Sequence, residues 1–519
     1  MIREAWVRWA VFAVVSMMVF ATGCGCGDDD DDPSTGSGSD DDVADDDATD
    51  DDAADDDATD DDAGDDDTFP PLPDDDDDAA DDWVPSAVLP IEVHPLQRGL
   101  ATLRGLIHMH SVYSHDACDG MPFVDGHPNW PCFNQLRVAI CTTNQQFVFL
   151  TDHNDPFVNY EFPDVLLYVE EEGDELLYED GDPFANVITC PDGNQAIVTA
   201  GNENSLMPLG LRRMPDGDAN ARSAILDGET VEAINAMKDL GAMVFVPHSE
   251  GWTTDQILAL PIDGLEVYNL HANIDPSIRE DYLGLPSLSF IFDILDMITP
   301  LDEAAHADLF LLAFLSESAP ARMHWDKVLF DRRTVASIAT DAHRNALPFP
   351  LLDGDRADSY RRMMRWFANY VLVGERDIET IEEAVHLGRM YGAFQVFGEP
   401  VGFDFHAEVG EEMFEMGDEV PAGDSPMLVV KAPTMINMPT DAETPDITIK
   451  LWRANGSGGE LIESSDTGSI EVPADEAGAY YVTATIVPKH LARWLGDDAD
   501  KFVREYPLIY ANAIYLTAD

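Results

Sequence analysis

Short apolar runs recur between Ser86 and about Pro400, and most of them end in a polar or ionisable residue. Runs of this length that are apolar throughout are typical of strands buried on both faces, as in a parallel sheet covered by helices. The six runs that we interpret as such strands are 103–107, 147–150, 196–200, 242–246, 265–268 and 335–339.

Segments with helical spacing lie between these runs. The clearest is 229–240, which shows one apolar face and is followed by Gly241, a suitable C-terminal cap. Segments 133–143 and 254–260 have a similar pattern. This alternation predicts an α/β fold, either a β/α barrel or a related open sheet. In barrels the active site lies at the carboxyl ends of the strands, which is where the polar residues occur here.

After Pro400 the apolar period changes to two. Apolar and polar residues alternate over 403–409 and again over 447–451, which is followed by a turn at Asn455. This pattern indicates half-buried strands. It predicts an all-β sandwich over residues 400–519, after a catalytic or binding domain over 86–399.

The N-terminal residues have the features of a targeting signal. Arg3 and Arg8 precede an uncharged stretch over 9–23, which is short for a membrane span and suited to a signal peptide over residues 1–23. The following Cys24 closes a segment that resembles a bacterial lipobox. That resemblance implies acylation of Cys24 and attachment to the cell envelope, at the outer membrane, the cell surface or the periplasm. An ordinary secretory signal is the alternative, and both interpretations predict export.

Residues 24–85 form a spacer with an extreme composition. The stretch from Asp28 to Asp82 contains 30 aspartates in 55 residues and no lysine or arginine. Such a run repels itself and cannot pack, so we expect a disordered stalk. The formal net charge of the whole chain is −74, and no basic stripe occurs. A protein that binds nucleic acid by neutralising phosphates is therefore disfavoured.

Export changes the interpretation of the cysteines. Four of the six lie after the spacer, at Cys118, Cys132, Cys141 and Cys190. In an oxidising compartment four thiols predict two disulfides. Three pairings are possible, and we favour Cys118–Cys132 because it closes a short loop.

The polar residues at the strand ends have the spacing of metal ligands. Residues i and i+2 of a strand face the same side, so His108 and His110 can hold one cation together, as can Asp341 and His343. A carboxylate such as Glu203 can bridge two cations. Nitrogen and oxygen donors without thiolates suit zinc, manganese or iron. The sequence therefore predicts a centre of two or three divalent ions.

The order of these motifs resembles the polymerase and histidinol phosphatase (PHP) family over roughly 100–396, and most closely an exported branch that includes ester and carbamate hydrolases beside phosphoesterases. The resemblance implies a distorted seven-stranded β/α barrel with two or three metals. Carried over by position, it implies eight ligands, namely His108, His110, Asp116, His153, Glu203, His248, Asp341 and His343. His115 is an alternative to Asp116. Some family members place a further histidine between the positions of Glu203 and His248, and this chain has none there.

Two further residues have predicted roles in catalysis. Asp152, or alternatively Glu250, is expected to orient a metal-binding imidazole, and Arg344 is expected to bind a substrate oxygen. We expect Glu266 to pair structurally. The remaining histidines are set aside, with His271 the first to reconsider because it follows the fifth strand.

These features predict an envelope-anchored hydrolase that uses metal-activated water on phosphoesters or on related esters and carbamates. Its partners would be a small-molecule or ester substrate and, through Cys24, a membrane. The alternative is a catalytically inactive, metal-stabilised surface protein that binds through its sandwich.

Overall fold

The computed structural model describes residues 84–286, 305–436 and 441–518, together with positions 294, 297 and 438. The predicted signal peptide, Cys24 and nearly all of the aspartate-rich spacer lie outside the described residues. The described strands are β1 Ala101–Ile107, β2 Phe123–Val124, β3 His127–Pro128, β4 Phe147–Phe149, β5 Glu175–Glu179, β6 Asp182–Thr189, β7 Gln195–Thr199, β8 Met207–Leu209, β9 Met243–Val246, β10 Gly264–Asn269, β11 Val335–Ala339, β12 Phe367–Val373, β13 Met390–Phe394, β14 Glu399–Val401, β15 Asp404–Val409, β16 Glu412–Glu415, β17 Glu419–Pro421, β18 Met427–Lys431, β19 Thr434–Ile436, β20 Asp446–Arg453, β21 Glu460–Ser465, β22 Ser469–Pro473, β23 Gly478–Val487 and β24 Tyr506–Thr517.

The described helices connect the strands of the first part of the chain and cover them. Those of five residues or more are α1 Trp130–Thr142, α2 Ala219–Leu226, α3 Val231–Asp239, α4 Thr254–Ala259, α5 Leu270–Ile274, α6 Pro276–Asp281, α7 Ala319–Asp331, α8 Tyr360–Trp366 and α9 Ile378–Leu387. Helices α1, α3 and α4 match the three predicted segments. Among the described helices, none has both the length and the apolar character needed to cross a membrane.

All six predicted buried strands are present, as β1, β4, β7, β9, β10 and β11. They divide between two sheets. Strands β1, β4 and β7 are parallel neighbours at the centre of a large sheet, and β12 adds to β1 in the antiparallel sense. Strands β9, β10 and β11 are parallel in a four-stranded sheet with β8 at its edge. The fold is thus mixed α/β with buried parallel strands.

The two sheets approach each other where the strands end. A parallel bridge joins Met109, just after β1, to Ala342, just after β11, and an antiparallel bridge joins Ala200 to Leu211. These bridges bring the carboxyl ends of strands from both sheets to one place. Closure of the strands into a seven-stranded barrel stays a prediction.

The residues after 400 are mainly strands, as predicted, and they form a second all-β region. Strands β16, β15, β18 and β22 make one four-stranded sheet. Strands β21, β20, β23 and β24 instead extend the large sheet, because β24 pairs with β13. The sheet therefore continues across residue 400, and an independent domain over 400–519 stays a prediction.

The described residues contain two disulfides. Cys118 pairs with Cys132, as favoured from the sequence, and Cys141 pairs with Cys190, with Cα–Cα distances of 6.0 and 5.4 Å. Disulfides persist in oxidising compartments and are rare where thiols are kept reduced. The pairs therefore indicate a location outside the reducing cytoplasm.

Candidate metal centre

Two short motifs lie side by side at the meeting point of the sheets. The His110 N–H donates to the carbonyl of Ala342 at 3.2 Å, and the Asp341 N–H donates to the carbonyl of His108 at 3.3 Å. This pairing continues the parallel arrangement past the ends of β1 and β11. It aligns the motif His108–His110 with the motif Asp341–His343, so that their side chains converge.

The backbone at this point adopts unusual conformations. His108, His248 and Asp341 have φ angles of 72°, 46° and 49°, a region that residues other than glycine rarely occupy. Each such residue costs on the order of 1–3 kcal/mol, and such residues concentrate at functional sites. Here the conformation turns each side chain into the space where the strands end.

The first group of donors is fully buried. It consists of His108, His110, Glu203 and Asp341, whose ligand atoms lie within 4.8 Å of one another. His108 Nε2 is 3.1 Å from both Glu203 Oε2 and Asp341 Oδ1. His110 Nε2 is 3.1 Å from the same Glu203 oxygen and 3.3 Å from the same Asp341 oxygen. Two imidazoles and two carboxylates thus surround one point.

A second group shares His110 with the first and adds Asp116, His153 and His343. His343 Nε2 lies 3.1 Å and His153 Nε2 3.8 Å from Asp116 Oδ2. His115 is exposed, and its ring lies beside His153 at 5.3 Å. Of the two alternatives, the structure therefore brings Asp116 into the cluster.

The third group contains a residue that the sequence analysis set aside. His248, His271 and Asp341 lie within ligand distance of one another. Asp341 Oδ2 is 3.2 Å from His248 Nε2 and 3.3 Å from His271 Nδ1. His271 follows β10 by two residues, so the rule that polar residues follow strand ends could have included it. We call these nine residues, the eight predicted ligands and His271, the donor cluster.

The charges of the donor cluster favour bound cations, which would replace the protons held by His110 and His248. Burial by itself would raise the pKa of Glu203 and Asp341, but the histidines around them, His108 foremost, together hold both pKa values well below their usual range. Burial by itself would lower the pKa of His110 and His248, but Glu203 and Asp341 raise them to about 9 and about 10. The pocket therefore combines ionised carboxylates with a strong attraction for positive charge.

Unpartnered atoms indicate where a cation fits. Among the described residues, Asp341 Oδ1 and His343 Nε2 are buried and form no well-aligned hydrogen bond, although Asp341 Oδ1 lies 3.1 Å from His108 Nε2 and His343 Nε2 lies 3.1 Å from Asp116 Oδ2. Burial lowers the pKa of His343 to about 3, so its imidazole is neutral and can donate a lone pair. Buried polar atoms without partners are costly and call for an explanation such as an ion. The donor set of histidines and carboxylates fits divalent zinc, manganese or iron.

Glu266 supports the cluster from behind. Its Oε1 lies 2.5 Å from His108 Nδ1, and its Oε2 accepts hydrogen bonds from the His248 N–H at 3.0 Å and from Asn269 Nδ2 at 2.9 Å. A carboxylate on the outer nitrogen of a metal-binding imidazole fixes its tautomer and orientation. We expected Glu266 to pair structurally, and its partners include His108 and His248, which both belong to the donor cluster.

Asp152 contacts a different partner from the one expected. Its carboxylate accepts from the Ser111 N–H at 2.5 Å and from Ser111 Oγ at 2.7 Å. Within the described residues it forms no hydrogen bond to an imidazole, and both of its oxygens accept from Ser111. Asp152 therefore holds the segment after His110, whereas Glu266 contacts the outer nitrogen of His108. Glu250, the alternative, lies 4.0 Å from His248 Nδ1.

Arg344 follows His343 with a φ of 58° and is half-buried. Its carbonyl accepts hydrogen bonds from the Asp119 N–H at 3.1 Å and from Arg356. Its guanidinium has no carboxylate partner in the described part of the chain, whereas Arg356 pairs with Asp119 and Asp358. An arginine held by its backbone beside the cluster, with an unpaired charge, is suited to bind an anion.

The cluster is accessible on one side. The side chains of His108, His110 and Asp341 are essentially unexposed, whereas those of Asp116, His153, His248 and His271 are 20–30% exposed. A substrate can therefore reach the cluster from the side of these four residues.

The Cys118–Cys132 disulfide joins the loop beside Asp116 to helix α1. The Cys118 N–H donates to the carbonyl of His343 at 2.9 Å, so the loop holds one ligand directly. We expect Cys118→Ser with Cys132→Ser to weaken metal binding by about tenfold, the lower end of what supporting residues contribute. Titration of the metal-free protein with zinc or manganese measures the change.

Cys141→Ser with Cys190→Ser is the matched control. That disulfide spans 49 residues instead of 14, so its loss should cost about 1 kcal/mol more stability by loop entropy. We nevertheless expect unchanged metal affinity, because Cys141 and Cys190 belong to no group of the donor cluster. Equal losses of affinity in both double variants would show that the Cys118–Cys132 loop has no special role.

No protein-family profile and no curated protein matches the sequence. Among solved structures, the chain is similar to a two-domain protein from Bacteroides vulgatus that contains a predicted PHP-like metal-dependent phosphoesterase. The sequence identity is 15%, the match covers 82% of this chain and 99% of the other, and the TM-score is 0.30. A TM-score this low does not establish a common fold, so the functional interpretation rests on the donor cluster.

Proposed function

We propose that this protein is a metal-dependent hydrolase of phosphoesters, with related esters and carbamates as the neighbouring substrate class. The proposal is supported above all by three groups of donors, in which the buried group shares His110 with the second group and Asp341 with the third. Shared ligands suit ions held a few ångströms apart, which is the arrangement of two-metal hydrolases. The motif order that resembles the PHP family supports the same proposal.

Two or three divalent ions, zinc, manganese or iron, would be held by the donor cluster. Such ions supply charge neutralisation on the attacked group and water that loses a proton near neutral pH. The protein holds their ligands rigidly through Glu266 and through the paired backbones of the two motifs. Arg344 would bind a substrate oxygen at the exposed side and orient the ester toward the cluster.

The test combines metal analysis with turnover. We expect the purified protein to contain at least two divalent ions per chain and to hydrolyse p-nitrophenyl phosphate, bis-p-nitrophenyl phosphate or p-nitrophenyl acetate. A chelator should abolish turnover, and zinc or manganese should restore it. Metal-loaded protein that is inactive on these substrates and on a broad ester panel would contradict the hydrolase proposal and favour the metal-stabilised binding protein.

Arg344→Gln tests the role in substrate binding. Because a hydrogen bond to a charged group contributes about 1.5–3 kcal/mol, we expect kcat/KM for p-nitrophenyl phosphate to fall by about tenfold to 150-fold. Turnover of the neutral p-nitrophenyl acetate should change little, and it serves as the internal control. Equal losses on both substrates would exclude a role for Arg344 in binding the anionic group.

We further propose that the protein is exported and anchored to the cell envelope through Cys24, with residues 24–85 as a stalk. The resemblance of the segment before Cys24 to a lipobox supports the anchor, and the two disulfides support export. Cys24→Ser should move the protein from the membrane fraction to the soluble fraction on cell fractionation. Retention of the variant in membranes would contradict lipidation at Cys24.

A further inference from the structure

A second cavity lies apart from the donor cluster, and its lining includes none of that cluster's residues. It has a volume of about 220 Å³ and lies between the N-terminal end of α7 and one face of the sheet formed by β20, β23 and β24. Its size suits a ligand smaller than the drug-sized molecules that fill pockets of roughly 300–1,000 Å³. We call it the α7 cavity.

The floor of the α7 cavity is an unusual polar row on a covered sheet face. Lys450 on β20 is the direct cross-strand partner of Thr483 on β23, which is in turn the partner of Tyr510 on β24. Cross-strand partners place their side chains on the same face about 5 Å apart. An ammonium group and two hydroxyl groups thus stand in line beneath α7, and the middle one, Thr483 Oγ1, accepts a hydrogen bond from Trp452 Nε1 at 2.9 Å.

Tyr510 provides a buried group without a partner. It is 3% exposed, it lines the cavity, and within the described residues its hydroxyl forms no hydrogen bond. Burial raises the pKa of this hydroxyl, and the charge of Glu317, another residue of the lining, raises it further. A buried hydroxyl without a partner is costly, so a ligand in the cavity that forms a hydrogen bond with it gains affinity.

The lining carries an excess of positive charge. Arg322, Lys450 and Arg504 oppose two carboxylates, Glu317 and Glu505. Glu317 is engaged with Arg322 at 2.9 Å, and Glu505 accepts from Thr485 at 3.3 Å. Lys450 and Arg504 have no carboxylate partner among the described residues, and Arg504 lies over the ring of Tyr506 at 4.2 Å. Two unpaired cations therefore border a cavity that also presents hydroxyl groups.

We propose that the α7 cavity binds a small hydroxylated carboxylate of the sugar-acid class. Lys450 and Arg504 would pair with the carboxylate, and Tyr510 and Thr485 would bind its hydroxyl groups. The cavity then serves as a ligand site separate from the chemistry at the donor cluster. Its occupancy does not depend on whether the donor cluster is catalytic.

Isothermal titration calorimetry of the full chain with D-glucuronate tests the proposal, with glucose and inorganic phosphate as comparison ligands. The titration follows chelator treatment, so that carboxylate binding to metal does not contribute. We expect one saturable site for glucuronate, no binding of neutral glucose, and phosphate binding at least about tenfold weaker because it lacks the hydroxyl contacts. Absence of glucuronate binding, or tighter binding of phosphate, would overturn the proposed ligand class.

Two variants locate the binding to this cavity. Lys450→Gln with Arg504→Gln should weaken glucuronate binding by about tenfold or more. The matched control is Lys431→Gln with Arg333→Gln, because both residues lie outside the α7 cavity. Lys431 is an exposed lysine, and Arg333 lies over the ring of Tyr515 as Arg504 lies over that of Tyr506. Binding that is unchanged in the first double variant, or equally weakened in the control, would overturn the proposal.

Tyr510→Phe gives an independent readout. It removes one unpartnered hydroxyl, so the Tm should not fall, while glucuronate affinity should fall by about 2- to 12-fold. An unchanged affinity in a folded Tyr510→Phe variant would contradict the assigned contact.

Discussion

Replacing His108 and His110 together by alanine should remove bound metal and abolish hydrolysis while leaving both sheets folded. His110 belongs to two of the three donor groups, and His108 lies 3.1 Å from both carboxylates of the buried group. Without these imidazoles, Glu203 and Asp341 lose the donors that complete a coordination shell, and the pKa of both carboxyls rises because burial is no longer opposed by the charge of His108. Because groups that act as a unit are not additive, we expect a loss of roughly 10³-fold or more in kcat.

Metal content by mass spectrometry, turnover of p-nitrophenyl phosphate and circular dichroism measure this result together. The matched control is His94→Ala with His490→Ala, which removes two buried imidazoles outside the donor cluster. That variant should lose stability, because His94 Nε2 binds Glu399 at 2.7 Å, but it should keep its metal. Full activity in the His108 and His110 variant would contradict the assignment of the donor cluster.

Glu266→Gln should weaken metal affinity by about 10- to 100-fold, the range found for residues that orient a metal ligand. The substitution keeps the size of the side chain and removes its charge. It disturbs His108 through Nδ1 and His248 through the backbone N–H, so two ligands lose their orientation at once. Competition with a zinc-binding dye measures the affinity, and metal-dependent turnover should require more added metal.

Glu399→Gln is a close control for Glu266→Gln. Glu399 is also a buried carboxylate that binds an imidazole, and it lies 3.0 Å from Arg104 Nη2. Its replacement should lower the Tm without changing metal affinity, because neither His94 nor Arg104 belongs to a donor group. If the two variants lose affinity in proportion to their losses of stability, Glu266 is a structural residue and does not position the metal ligands.

Much of the site was predictable because its signals are local. Each of the six apolar runs became a strand, and the pairs His108–His110 and Asp341–His343 follow β1 and β11 in the chain. Strand ends and the i, i+2 rule depend only on neighbouring residues, so they can be read without knowledge of the fold. The pairing of Cys118 with Cys132 was predictable for an equally local reason, because it closes a short loop.

The remaining features depend on residues that are distant in sequence. His271 follows a strand like the other ligands, but only the approach of β10 to β11 brings it to Asp341. Glu266 reaches His108 across 158 positions, and Asp152 is turned to Ser111 by the packing of two loops.

For this protein, composition and spacing were sufficient to predict buried strands, a metal-binding set of residue types and oxidised cysteines. The partner of each carboxylate, the continuation of the large sheet through β24 and the α7 cavity were decided by tertiary packing. The physical reason is that hydrophobic periodicity and ligand spacing act over a few residues of chain. A hydrogen bond, an ion pair or a cavity depends instead on the distance between surfaces that meet only after the chain has folded.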